Sequence, residues 1–411
     1  MTVLPTVKLY DEDAYITSFN ARILSVTPVD GKDGCFDLIL DRTAFFPEAG
    51  GQDPDRGTIA GWQVTDVRIN NGIITHRICR DEKSDDTAGV PSEGDNAECF
   101  IDWEHRFSNM QQHTGEHIFS GIVHRLHGYD NVGFHLSEHI VTMDYNGELS
   151  VEEIAEIELL SNQAIWEARA IHTSYPTDEE LSNMDYRSKG ELEPPIRIVE
   201  IEGVDLCACC APHVKNTSEV GVLKVVDYQR YKGGIRFSIL CGKRALLDYI
   251  KKHDMLTGLS HSLSVPTEKI PSETDRLIEE KNRLEYRLKN AQADMLATQI
   301  AGVSADTTCA WVFTEASDQN VVRNAVNELV KGREFAGVFY GAGENYRFII
   351  GAGSRISEGS VPAEDNRLNA NDVLAHLRNS FEIKGGGSPE MVQGSVSADR
   401  QAIEKALEGF R

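Results

Sequence analysis

Two short stretches in distant parts of the chain constrain it more than anything else it contains: His113-Thr114-Gly115-Glu116-His117 and Cys209-Cys210-Ala211-Pro212-His213. Each sets two metal-ligand residues four apart, H-x-x-x-H in the first and C-x-x-x-H in the second. On a helix, positions i and i+4 share a face at about 5–6 Å, so one divalent ion can bridge them. Two imidazoles from one element, with a thiolate and a third imidazole from another, make a borderline-soft set that suits Zn²⁺. Either pattern alone is weak, because paired histidines are common on helix surfaces. Together they form a coherent set. The sequence leaves the thiolate among Cys207, Cys209 and Cys210, with the four-residue spacing favouring Cys209.

A chain of 411 residues exceeds one ordinary domain, so three or four are expected. With 40% hydrophobic and 26% charged residues the composition is globular, and no apolar run approaches a membrane-spanning length. Met1 to Tyr15 lacks a basic region followed by an apolar core, so no signal peptide is expected and the chain reads as cytoplasmic. The eight cysteines show no disulfide-framework spacing, which turns the clustered ones toward metal rather than bridges. A net charge of −24 excludes a generic nucleic-acid binder, since phosphate contact needs positive potential. The deficit is uneven, however. From Lys215 to Lys252 the chain carries nine Lys and Arg against only Glu219, Asp227 and Asp248. That basic island, with Tyr228 and Tyr231 interleaved, is a candidate polyanion track; its bland alternative is a solvated hairpin face.

Periodicity supplies the organisation. Short β runs at Arg22–Val26, Phe36–Leu40, Trp62–Ile69 and Ile73–Ile78, cut by turns such as Asn71-Gly72, predict a small β-barrel or sandwich over 1–100. It contains Gly50-Gly51-Gln52, where paired glycines permit close backbone approach to a ligand. Residues 101–252 predict an α+β domain: a helix over 102–127 carrying both histidines, a helix capped by Ser150 and Glu153, and a hairpin across Lys232-Gly233-Gly234. Over 253–302 a charged helix shows a heptad seam of Ile270, Leu277, Leu284 and Ala291, which offers a partner contact within or between chains. Residues 303–411 predict a compact α/β domain ending in a Gly385–Gly387 run. The fold class is α+β, multidomain.

The three motifs Gln111-Gln-His-Thr-Gly-Glu-His117, Cys209-x-x-x-His-Val-Lys-Asn-Thr217 and Asp41-Arg-Thr-Ala-Phe-Phe-Pro-Glu-Ala-Gly-Gly-Gln52 together resemble the alanyl-tRNA editing proteins of the AlaX type. Those look like the editing half of alanyl-tRNA synthetase, and the heptad helix with the terminal glycine-rich domain resembles that synthetase's DHH-associated C-terminal domain. The resemblance identifies the long form. It implies ATP-independent hydrolysis of tRNA(Ala) mischarged with serine, with glycine as a second candidate, in the service of translation fidelity. It implies zinc held by His113, His117, Cys209 and His213, a pocket bordered by Gly50, Gly51 and Gln52, and Phe134 and His135 on the amino-acid side. Gln112, Thr114 and His135 are candidates to recognise the serine hydroxyl, and Glu116 is a catalytic candidate. Lys232 and Arg236 are candidates for the acceptor stem, and the helical segment with the C-terminal domain for a homodimer. One departure stands out: Cys209-Cys-Ala-Pro-His213 replaces the synthetase's usual Cys-Gly-Gly-Thr-His.

An aminoacyl ester is already activated, so a site needs mainly to orient water and exclude alanine. Four protein ligands leave little room for a metal-bound hydroxide, which favours a positioning role for zinc. Other readings compete. His113-x-x-Glu116-His117 is also the inverted metallopeptidase pattern H-x-x-E-H, but it needs a carboxylate ligand and has no use for C-x-x-x-H. A DHH-type phosphoesterase lacks any Asp-His-His. Editing of another tRNA and a non-enzymatic tRNA-binding protein with structural zinc complete the alternatives.

Overall fold

The structure is a computed structural model and describes residues 4–80, 89–138, 140–188, 194–315, 318–354 and 368–410. It is a mixed α+β protein that divides into two units, Met1–Gly258 and Leu259–Arg411.

In the first unit, six strands pair in the order Ser18–Pro28, Cys35–Leu40, Ile73–Cys79, Trp62–Asn70, Gly57–Ile59 and Asn96–Ile101. The last pairs with the first, so the sheet closes on itself. Alternation along these strands buries Ile23, Leu38, Leu40, Val64, Val67, Ile74 and Ile78 inside. The two strands without a clear sequence signal, Gly57–Ile59 and Asn96–Ile101, are those that close the ring; the first is three residues long. Against the expectation of no bridge, Cys35 and Cys79 form a disulfide. They are direct partners in an antiparallel register, 4.2 Å apart at Cα, a juxtaposition created by strand pairing and invisible in linear spacing.

The central element is the helix Trp103–His127, capped by the Asp102 side chain and ended by Gly128 in the left-handed conformation (φ 68°). It buries Met110, Ile118, Phe119, Ile122 and Val123 against two neighbours. One is a four-stranded sheet ordered Leu223–Tyr231, Gly234–Cys241, Val141–Tyr145, Asn131–Leu136. The other is the helix Val151–Trp166, which opens with the expected Ser150/Glu153 capping box. At Gly115 a Cβ would lie 2.3 Å from Cys241 Sγ, so only glycine lets the helix approach the sheet at the ligand motif. The hairpin Leu223–Tyr231/Gly234–Cys241 turns through Lys232-Gly233, both at positive φ, as a two-residue primed turn requires. A three-stranded sheet, Ile171–Ser174, Ile198–Ile201 and Asp205–Ala208, brings in the cysteine segment.

The second unit holds a five-stranded sheet ordered Cys309–Thr314, Phe335–Ala342, Asn345–Ala352, Met391–Ser397, Ile383–Gly387. The helix Gln319–Leu329 covers one face and Ala370–Arg378 with Arg400–Ala406 the other. The Gly385–Gly387 run is neither turn nor loop: it is part of an edge strand, with Gly385 opposite Gly394. The heptad helix is Ile270–Ala301, and Leu277, Leu284, Leu288 and Met295 on it are exposed. No helix of the described residues is long and apolar enough to cross a membrane.

Candidate metal centre

Helical spacing puts His113 and His117 on one buried face, and the strand Asp205–Ala208 delivers the loop that carries Cys209 and His213 to that face. One donor atom from each of the four residues lies within 4.8 Å of the others. His113 Nε2 and His213 Nε2 are each 3.5 Å from Cys209 Sγ. Tetrahedral zinc, with Zn–S near ~2.3 Å and Zn–N near ~2.0–2.1 Å, requires an S···N separation of about 3.5 Å. Cys209 is therefore the thiol that faces the imidazoles. Cys207 is buried in its strand, and Cys210 Sγ sits 3.6 Å from where a Cβ on Gly50 would be.

The orientation of each imidazole is fixed from behind. His113 Nδ1 meets Gln52 Oε1 at 2.7 Å, His117 Nδ1 meets Asp205 Oδ2 at 2.9 Å, and His213 Nδ1 meets Thr114 Oγ1 at 3.0 Å. An acceptor at Nδ1 holds the proton there and leaves the Nε2 lone pair facing inward, the arrangement that tunes metal-bound histidines. His117 Nε2 is buried and has no hydrogen-bond partner among the described residues; Glu116 Oε2 stands 3.9 Å away. A lone pair so placed fits a metal ion, and the N₃S donor set fits zinc.

Electrostatics follows the same geometry. Burial alone raises the Cys209 thiol, but the imidazoles of His113, His117 and His213 outweigh it and hold the group well below its ordinary range, toward the thiolate that binds metal. By contrast, the Cys210 thiol, though exposed, is shifted up to about 11 by partial desolvation, with the Cys209 charge adding to it. Asp205 is buried, which favours its neutral form, yet its hydrogen bond to His117 and the Arg187 guanidinium keep it below the usual carboxylate range. Arg187 grips it bidentately at 2.7 and 2.9 Å.

Of the residues singled out in the sequence, Gly50, Gly51, Gln52, Thr114 and Phe134 gather around this cluster. The Phe134 ring lies 4.8 Å from His113, and Gly51 (φ 78°) presses so near that a Cβ would be 2.5 Å from Phe134 O. Thr114 and Gln52 contact the imidazoles rather than standing free. Gln112 lies elsewhere: both ends of its amide pair with the Cys241 backbone, at 2.7 and 2.8 Å, pinning helix to sheet. His135 is exposed and, by strand alternation, faces away from the side that carries Phe134. Glu116 is buried and accepts from Ser120 Oγ at 2.6 Å and Asn131 Nδ2 at 2.7 Å. Lys232 and Arg236 sit on the hairpin, where Arg236 binds Asp144 bidentately and stacks over Tyr231 at 3.8 Å.

Sequence reading missed three arginines that hold the site's parts in place, Arg106 and Arg197 buried and Arg187 half-buried. Arg187 orients Asp205. Arg197 donates to the carbonyls of Cys209 and Ala211 at 3.0 and 2.8 Å, shaping the ligand loop. Arg106 is fully buried against Asp55 and the carbonyls of Ala14 and Ala44, anchoring the ends of the Gly50-Gly51 loop to the ligand helix. Each bonds a partner at least 12 residues away in the chain, so no local spacing announces it.

Residues 196–237 match the family described as the threonyl and alanyl tRNA synthetase second additional domain. Their span covers the C-x-x-x-H loop and most of the hairpin. The chain is 28% identical to the alanyl-tRNA editing protein AlaX-L of Pyrococcus horikoshii over 98% of both chains. It is 30% identical to the alanine–tRNA ligase of Pyrococcus abyssi over 98% of its own length but only 43% of that ligase's. Over nearly its whole length the chain is thus similar to an alanyl-tRNA editing protein of the AlaX type.

Proposed function

We propose that this chain removes serine from mischarged tRNA(Ala), with glycine as a second substrate, at a zinc ion held by His113, His117, Cys209 and His213. Its likeness to an alanyl-tRNA editing protein supports the broader reading, an aminoacyl-tRNA hydrolase. The observation that carries the finer reading is the convergence of three oriented Nε2 atoms and one thiol at zinc-compatible separations. When bound, zinc there supplies positive charge that orients or polarises the aminoacyl group.

The chain's own residues do the rest. Gln52, Asp205 and Thr114 fix the imidazoles, and Phe134 forms a wall beside His113. The Gly50-Gly51 turn lets backbone reach the ligand cluster without a side chain in the way. A peptidase reading asks for Glu116 as general base and a further carboxylate as ligand, but Glu116 is already committed to Ser120 and Asn131 and the fourth donor is a thiol. Domain roles are part of the proposal: residues 1–252 as the editing body, 253–302 as a helical segment and 303–411 as a further tRNA-gripping domain. The exposed Leu277 and Leu284 seam supports pairing of two copies, which sedimentation of the full chain tests.

The test of function is release of serine from purified Ser-tRNA(Ala) by the native protein, beside Gly-tRNA(Ala), Ala-tRNA(Ala) and Thr-tRNA(Thr). Rapid serine release that spares alanine is expected. Equal rates on all four would remove the specificity, and no release would remove the reading.

A further inference from the structure

Gln52 is almost wholly buried, and only one end of its amide is used. Oε1 meets His113 Nδ1 at 2.7 Å, while Nε2 is buried with no hydrogen-bond partner among the described residues. The two ends are not interchangeable. If His113 turns an Nε2 lone pair inward, its Nδ1 carries the proton and needs an acceptor, so the free end of Gln52 must be the donor. The loop cannot relax the donor away easily, because Leu136 N donates to Gly51 O at 2.7 Å and Asp53 N to Leu136 O at 3.4 Å. A buried amide donor left unsatisfied is costly, and such groups mark places where a ligand supplies the missing partner.

The geometry points to Gln52 as a residue with two duties: Oε1 sets the tautomer of His113, and Nε2 donates to an oxygen of the bound aminoacyl group. This rests on the functional reading above and deepens it. The oxygen is either the ester carbonyl, where negative charge develops during attack, or the serine hydroxyl that alanine lacks. Both are acceptors within the same small ligand, and the experiment separates them.

Gln52→Glu keeps an acceptor for His113 and removes the donor, whereas Gln52→Ala removes both. The measurements are metal content, the absorption of the cobalt-substituted protein, binding of 3′-serylamino- and 3′-alanylamino-adenosine, and single-turnover release from Ser-tRNA(Ala). Gln52→Glu is expected to keep full metal and an unchanged cobalt spectrum. It should bind the seryl amide about tenfold more weakly and release serine about 100-fold more slowly. An equal loss for both analogues assigns the carbonyl, and a loss confined to the seryl analogue assigns the hydroxyl. Wild-type binding and turnover in Gln52→Glu would overturn the second duty and leave only the positioning of His113. Loss of metal from Gln52→Glu would also count against it, because the acceptor remains. A native protein that releases no serine would fell the functional reading first, an outcome visible without any variant.

Discussion

The ligand cluster and the basic hairpin lie in the same unit, and both are polar, yet folding treats them oppositely. At the cluster each imidazole is held at Nδ1 by a partner from a distant segment, so its other nitrogen faces the shared centre. At the hairpin and its flanks the fold supplies acids that the local sequence lacks. Lys215 meets Asp13, Lys224 meets Glu158, Arg230 meets Glu148, Arg236 meets Asp144 and Lys243 meets Glu104, while Lys252 meets the island's own Asp248. A charge excess counted along the chain is thus largely cancelled in space. Lys232, which rests over the Tyr231 ring at 5.0 Å, has no acid partner among the described residues. Unsatisfied inward polarity marks the site better than outward charge does.

Variants sharpen that contrast. Cys209→Ala takes the one thiol from the cluster and should abolish metal binding in the purified protein, read by metal analysis; retention of stoichiometric metal would mean the ligand set is wrong. Arg106→Met leaves Asp55 buried without its partner and should cost about 3–5 kcal/mol in denaturant unfolding. A loss under ~1 kcal/mol would put that pair on a par with surface bridges and break the contrast. Asp205→Asn keeps shape but weakens the hold on His117, and metal affinity should fall about 10–100-fold. On the hairpin the effects should be smallest. Lys232→Glu should lower the salt slope of tRNA binding by about one unit, and Arg236→Gln by less, since its charge already faces Asp144. Equal and large effects at both positions would restore the basic island as a track.

Much of this was legible in the sequence, and the reasons are physical. The ligand helix, its Asp102–Gly128 limits, the Ser150 capping box and the primed hairpin turn all arise from local periodicity and turn chemistry. The candidate donors stood out by their four-residue spacing, which a helix carries in His113–His117 and a loop in Cys209–His213. What stayed hidden depends on strands meeting: the Cys35–Cys79 bridge, the short closing strands of the first sheet and the glycine-rich edge strand. Gln112 and His135 illustrate the same limit, since neighbours in sequence point to different faces. One is spent on Cys241 and the other faces away from the side that carries Phe134. Asp205 and the three supporting arginines act only through partners from elsewhere, so the support of the site had no linear signature.

The most direct test of the account joins metal to chemistry in one measurement: single-turnover release of serine from Ser-tRNA(Ala) as zinc is returned to chelator-stripped native protein, with Cys209→Ala in parallel. The account predicts that serine release rises in step with one zinc per chain, that alanine on tRNA(Ala) is spared throughout, and that the variant gains neither metal nor activity. Full serine release from stripped protein, or from a Cys209→Ala protein without metal, would contradict it.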